Sequence, residues 1–191
     1  TLKGNDLDNL ANSIVTAELR AEVENYNWPE STETATETSG TKSGSGFSVS
    51  LTLNETIDIN FKSPAGMETD GLTAKVWLDG VELDTDRYSV EEDDGRLRVR
   101  YGCNSNKMFE EVTVQFFDAN GNAVTKARTM SIRSYAETLL GMSSTNAKTR
   151  ALLIQMLDYG ALAQYYKGND LDNLANSIVT PTLRAEVEGY S

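Results

Sequence analysis

Histidine is missing from all 191 residues, and cysteine occurs once, at Cys103. Without histidine there is no Ser-His-Asp or Cys-His nucleophile and no His-ligated zinc. A single cysteine forms neither an internal disulfide nor a thiolate metal cluster. Only carboxylate chemistry would remain for an enzyme, and no pair of carboxylates is singled out by spacing. The expectation is therefore a protein with no catalytic residues, no metal and no cofactor. Long apolar runs are also lacking: none approaches the ~20 residues that span a bilayer, so membrane insertion is not expected. Positive charge is scarce, with 17 Lys and Arg against 29 Asp and Glu, a formal net charge of −12. Phosphate backbones and anionic lipid would be repelled, which makes nucleic acid a poor partner.

What the chain does contain is a near-perfect duplication. Residues 3–26 read KGNDLDNLANSIVTAELRAEVENY and residues 167–190 read KGNDLDNLANSIVTPTLRAEVEGY. They differ only at Ala17/Pro181, Glu18/Thr182 and Asn25/Gly189. An offset of 164 residues (3 to 167) is far too long for a solenoid coil. Each unit should be a domain with its own core, and residues 1–28 should be the helical tail of a preceding unit. Neighbouring repeats of the same chain are thus expected partners, and joined copies suit adhesion and multivalent capture.

Residues 29–46 follow Trp28 with a Thr/Glu/Ser/Gly-rich stretch and no large apolar side chain, which predicts a flexible linker. From Phe47 the hydrophobic period becomes two. Phe47, Val49, Leu51 and Leu53 alternate with small polar residues, and Ile57, Ile59 and Phe61 repeat the pattern. Asp79-Gly80, Asp94-Gly95 and Asn120-Gly121 then mark three two-residue hairpin turns. About the first, Leu78 should face Val81, Trp77 should meet Glu82, and Lys75 should meet Asp84. About the second, Val90 should face Val99, Glu91 should meet Arg98, and Asp93 should meet Arg96. Apolar residues face apolar ones and opposite charges meet, at ~0.2–1 kcal/mol per pair. The third hairpin needs a bulge before Met130 to keep Val112, Val114 and Phe116 in phase.

Two helices are predicted next, a short one over 134–140 and a long one over about 146–166. The long one is apolar almost all round, so it must be covered on more than one side, by the sheet and by residues 169–189. Gly160 in its interior costs about 1 kcal/mol against alanine, which implies a close backbone approach there. Thr180 followed by Pro181 is an N-cap signal, with Leu183 and Val187 four apart on one helical face.

The run LDYGALAQYY at 157–166, followed by Asn169 and by DNLAN at 172–176, resembles a repeat signature, L-x-Y-G-x-x-A-Q-x-Y…D-N-L-A-N. That signature belongs to large secreted or wall-attached proteins of gut Firmicutes. There too a β-rich stretch enters the helices through x-S-[IV]-x-x-Y-A, matched here by MSIRSYA at 130–136. The resemblance covers about residues 47–180, with its specific motifs mainly in 130–176. Those motifs look like core packing, so no family binding residue is carried over. Some repeats of this kind are similar to bacterial immunoglobulin-binding superantigens, and others accompany polysaccharide-degrading systems. The resemblance implies an extracellular protein, secreted or attached to the cell wall, with immunoglobulin or a glycan as ligand classes.

Candidate contact residues come from strand parity. Trp77 is out of phase with Leu72, Ala74, Val76 and Leu78, so it shares a face with Lys75, Glu82 and Asp84. An exposed tryptophan there would anchor a protein partner or stack on a sugar ring, unless the long helix covers it. Arg96, Arg98 and Arg100 form a cationic stripe that could meet anionic groups on a partner. Glu91 and Asp93 neutralise two of them by register, which leaves Arg100, opposite Ser89, least accounted for. Residues 118–122, DANGN, have the look of a calcium loop but lack the later glutamate, and Asn-Gly suffices as a turn.

The expected architecture is α+β: an antiparallel β-sandwich of about seven strands and Ig-like character over 47–133, then a helical subdomain over 134–191 packed on it. The expected function is non-catalytic capture of a host macromolecule, immunoglobulin in the first instance. A carbohydrate-binding module and a ligand-free stalk are the alternatives. Lys75, Trp77, Glu82, Asp84, Arg98 and Arg100 are the candidate ligand-binding residues.

Overall fold

The computed structural model describes residues 16–17, 46–53 and 56–187. The chain divides into two compact units, Thr1–Glu37 and Thr38–Ser191. The expected tail over 1–28 and linker over 29–46 lie almost wholly outside the described residues.

The second unit carries two four-stranded antiparallel sheets. In chain order the strands are β1 (Ser48–Leu53), β2 (Ile57–Lys62), β3 (Thr73–Leu78) and β4 (Val81–Glu82), then β5 (Ser89–Glu92), β6 (Leu97–Cys103), β7 (Val112–Phe117) and β8 (Arg128–Met130). One sheet has the order β1-β2-β6-β5, the other β4-β3-β7-β8. Ile59, Phe61 and Val99 of the first and Val76, Val114 and Phe116 of the second are all fully buried in one hydrophobic cluster. Alternation along each strand produces this, since every second side chain points inward. The Phe47 and Phe116 rings meet at 5.2 Å, and the Tyr88 hydroxyl donates to the Ala74 carbonyl at 3.2 Å.

Two turns form as the sequence predicts. Asp79 and Gly80 have φ of 47° and 83°, and Asp94 and Gly95 have 55° and 66°, the paired positive values of a tight hairpin. Leu78 lies opposite Val81, Trp77 opposite Glu82, Val90 opposite Val99 and Glu91 opposite Arg98. The third hairpin differs. Asp118 N–H donates to the Asn122 carbonyl, so three residues, not two, make the turn. Phe117 then bridges Ala123, yet Val112 pairs with Met130 and Val114 with Arg128. An excursion between Val124 and Arg128 takes up the extra length and restores the phase. Thr125 fills the gap, its hydroxyl accepting from the Phe116 amide at 3.1 Å.

The helical part begins at α1 (Ile132–Leu140), two residues earlier than expected, because Ser131 caps it. The Ser131 and Ser134 side chains each accept from the other's backbone N–H, a reciprocal capping box. The long helix α2 (Ala147–Lys167) starts at an Asn146 cap and ends at Gly168 in the left-handed region. A last helix, α3 (Pro181–Val187), has the Thr180 hydroxyl accepting from the Leu183 N–H, as the sequence signal implied.

Helix α2 joins the same hydrophobic cluster as both sheets through Leu153, Ile154, Met156 and Leu157. It lies chiefly against the 3-10 turn Ser105–Lys107 that links β6 to β7, and against α1 and α3. Met108, fully buried, is the plug of this contact. A Cβ on Gly160 would sit 2.7 Å from the Met108 sulfur and 3.0 Å from the Ala175 Cβ. Glycine is what lets α2 close on both at once.

Candidate binding face

Because both sheets turn one face inward, each leaves an outer face, and the two differ in chemistry. On the β4-β3-β7-β8 sheet the outward positions are Thr73, Lys75 and Trp77 of β3, Glu82 of β4, and Thr113, Gln115 and Phe117 of β7. Trp77 pairs with Glu82 on one side and Thr113 on the other, and Thr73 pairs with Phe117. Trp77 and Phe117 are half-buried and lie outside the hydrophobic cluster. The Trp77 indole makes no hydrogen bond among the described residues, although an indole N–H seeks a partner when covered.

Lys75 stands between the two rings. Its ammonium is 3.0 Å from Glu82 Oε1 and 5.9 Å from the centre of the Phe117 ring. The side chains of Lys75 and Glu82 are each 50% exposed, so the pair is solvated and weak. Beside them, burial first and the Glu82 charge second push the Tyr88 phenol above its ordinary range, with Lys75 opposing.

The expected meeting of Lys75 with Asp84 does not occur. Strand β4 lasts two residues, Leu83 turns into the core, and the Asp84 carbonyl closes a turn by accepting from Arg87 N–H. Asp84 is exposed beyond the strand end.

Arg98 and Arg100 stand on the outer face of the other sheet, away from Trp77. Arg98 is held by Glu91 and by Asp93, the latter at 2.8 Å, and Asp93 also takes Lys62 at 2.7 Å. The hydrogen bond from Lys62 chiefly, with Arg98 adding, holds the Asp93 carboxyl below the ordinary carboxylate range against a smaller opposing effect of desolvation. The expected Asp93–Arg96 pair survives only in the main chain, where Asp93 N–H donates to the Arg96 carbonyl. The Arg96 guanidinium finds better acceptors across the sheet in the Ser63 and Lys62 carbonyls and the Ser48 hydroxyl. Arg100 leans toward Glu91 at 3.5 Å and Asp58 at 3.9 Å. This face is a lattice of internal ion pairs.

Other chemically suggestive groups are taken up structurally. Burial pushes the Cys103 thiol up to about 12, Glu110 adding and Lys107 opposing, and the neutral thiol donates to the Asn104 and Lys107 carbonyls. The Asp118 carboxylate accepts from the Asn120 and Asn122 amides and the Asn122 side chain. Those bonds close the turn. An open groove of about 370 Å³ runs past Met142, Thr145 and Glu186, but Arg150 at its base is committed to the Leu140 carbonyl and to Glu186.

Sequence reasoning found Trp77 but missed Phe117, although its place next to the inward Phe116 was a usable sign. It also missed Tyr159, Leu162 and Tyr166, which lie at i, i+3 and i+7 on α2 and are 59%, 39% and 87% exposed. Comparison with family models, with curated proteins and with solved structures returns no match.

Proposed function

We propose that this unit is a non-catalytic binding repeat of a secreted or wall-attached bacterial protein, and that it captures a host macromolecule through the outer face of the β4-β3-β7-β8 sheet. One observation carries the reading. A half-buried tryptophan, whose indole makes no hydrogen bond among the described residues, stands on the outer sheet face beside Lys75, Glu82 and a second half-buried ring, Phe117. Aromatic anchors ringed by polar residues are the usual centres of protein contacts. Immunoglobulin is the ligand favoured by the resemblance of 130–176 to the Firmicutes repeats. The Ig-like reading of the domain is supported by its strand order: β1-β2-β6-β5 facing β4-β3-β7-β8 is the ABED and C′CFG arrangement.

The test compares this chain with a tandem protein of two linked units on immobilised immunoglobulin. Linkage supplies an effective concentration of ~mM for the second site, so the tandem protein should dissociate at least tenfold more slowly. Absence of binding by both discards immunoglobulin as the ligand.

Phe117 gives the carbohydrate reading a specific support as well. Trp77 and Phe117 share one face four strand positions apart along neighbouring strands, roughly 13 Å at strand spacing. A glycan array separates the two: sugar binding that disappears in both Trp77→Ala and Phe117→Ala variants would transfer the function to a saccharide.

A further inference from the structure

Most of α2 is closed in. Leu153, Ile154, Met156, Leu157, Gly160 and Ala161 are buried, and the segment after the helix covers a further side. Gln164, fully buried, clasps that segment: its amide nitrogen donates to the Asp170 and Asn173 carbonyls, and its oxygen accepts from Ala175 N–H. Arg184 of α3 grips Asp158 through both carboxylate oxygens, at 2.7 and 2.8 Å. One face is left over. Tyr159, Leu162 and Tyr166 stand exposed on it, and exposed Gln155 and half-buried Leu152 continue it toward the N-terminus.

These five positions follow one another at three, four, three and four residues. Such spacing makes the narrow seam of a helix that packs on one other helix, where a core-facing stripe would be wider. The charges at the two ends of the seam select which helix. Lys148 is exposed in the first turn of α2, which holds no acidic residue, so it stands at the positive end of the helix dipole. Asp172 is exposed beyond the other end, past Gly168. Neither makes an ion pair among the described residues. Within one copy they lie a helix length apart, about 30 Å, and do not meet. A second α2 turned end for end brings each to the other, whereas a parallel one would set Lys148 on Lys148.

We propose that this face of α2 is a self-association surface, on which a second copy of this chain lays the same helix antiparallel. Tyr159 packs beside the other copy's Leu162, Gln155 beside its Tyr166, and Lys148 reaches its Asp172. The same patch serves on both copies, so the pairing is two-fold and closes at the dimer. The seam is about 21 Å long and buries less than the ~800 Å² per partner of a standard interface, which places the dissociation constant at about 100 μM. This inference does not rest on which ligand the sheet face takes.

Sedimentation equilibrium of the full chain tests it, from about 10 μM to about 1 mM in ~0.15 M salt, which screens the repulsion between two chains of net charge −12. The unaltered chain should pass from monomer to dimer across that range and form nothing larger. Leu162→Glu and Tyr166→Glu should each stay monomeric throughout. Both side chains are exposed, so at low concentration these variants should melt with the unaltered chain. Lys148→Glu acts twice in a two-fold dimer and should weaken it about fivefold, and adding Asp172→Lys should restore it to within about twofold. A chain that is still monomeric at about 1 mM overturns the proposal, whether or not the face takes a sugar or another protein. So does a dimer that survives Leu162→Glu, or one indifferent to Lys148→Glu.

Discussion

The outer faces of the two sheets start from similar material, strands of alternating polar and apolar residues, and end in opposite conditions. On β1-β2-β6-β5, Lys62, Arg98 and Arg100 are met by Asp93, Glu91 and Asp58 across the strands. Asn60 of β2, also on that face, is 2% exposed and donates to the Thr52 hydroxyl. On β4-β3-β7-β8 there is one solvated ion pair among the described residues, and two aromatic rings stand where a charged neighbour would be cheaper to hydrate. A face whose cations mostly have carboxylate neighbours already has less left to offer a partner. A face that carries two half-buried rings still has free energy to gain from being covered further. Formal charge alone would have ranked the arginine stripe first as a contact surface; pairing reverses that order.

Removing the aromatic anchor should break the comparison most severely. Trp77→Ala should weaken capture of the ligand by 30-fold or more, about 2 kcal/mol, as expected of an interface anchor. Stability should change much less, because Trp77 stands outside the hydrophobic cluster. Arg100→Ala, measured beside it by surface plasmon resonance, should leave affinity within about twofold, a few tenths of a kcal/mol. Equal losses in the two variants would mean that the ion-paired face is the one that binds.

The arginine face should respond instead in stability. Arg98 is 24% exposed and shared between Glu91 and Asp93, so Arg98→Ala should cost about 1 kcal/mol in urea unfolding at neutral pH. The Asp93 carboxyl titrates below its unfolded value, so its contribution is complete above the ordinary carboxylate range. It is lost as pH falls through the depressed folded value. The gap between Arg98→Ala and the unaltered chain should therefore narrow in acid, once Asp93 is protonated. A gap that stays constant down to about pH 2 would show that the guanidinium acts by packing and not by charge.

How much of this was legible beforehand depended on whether the deciding interaction was local. Asp79-Gly80 and Asp94-Gly95 fixed two registers because a dipeptide with two positive φ values admits few geometries. From that register the outward position of Trp77 followed by parity. Asn120-Gly121 misled, since the Asp118 carboxylate gathers the Asn120 and Asn122 amides and lengthens the turn by one residue. Asp84 was misplaced because β4 stops after Glu82, and nothing in the local pattern marks where an edge strand ends. The close approach at Gly160 was readable as a glycine in a helix interior, but its partners, Met108 and Ala175, come from turns 52 residues before and 15 after. Gln164 gave no sign of being a fully buried clasp. In a helix apolar on every side, periodicity cannot say which face is covered, and so the exposed Tyr159, Leu162 and Tyr166 were hidden as well.

The finest test of the contrast between the faces uses the Lys75–Glu82 ion pair on the aromatic side. Lys75 and Glu82 are each half exposed, and a solvated pair of this kind contributes less than about 0.5 kcal/mol. Lys75→Ala should therefore leave the melting temperature almost unchanged, in contrast to Arg98→Ala. Its effect should surface only with ligand present, because the same ammonium lies over the Phe117 ring and borders Trp77. Losing it exposes the ring edge and removes a rim charge, and rim charges act mainly on association rate. The expected result is a two- to threefold slower association whose dependence on salt is shallower than that of the unaltered chain, with dissociation unchanged. If Lys75→Ala instead lowers stability as much as Arg98→Ala does, the pair is structural, and the two faces are held together by the same kind of interaction after all.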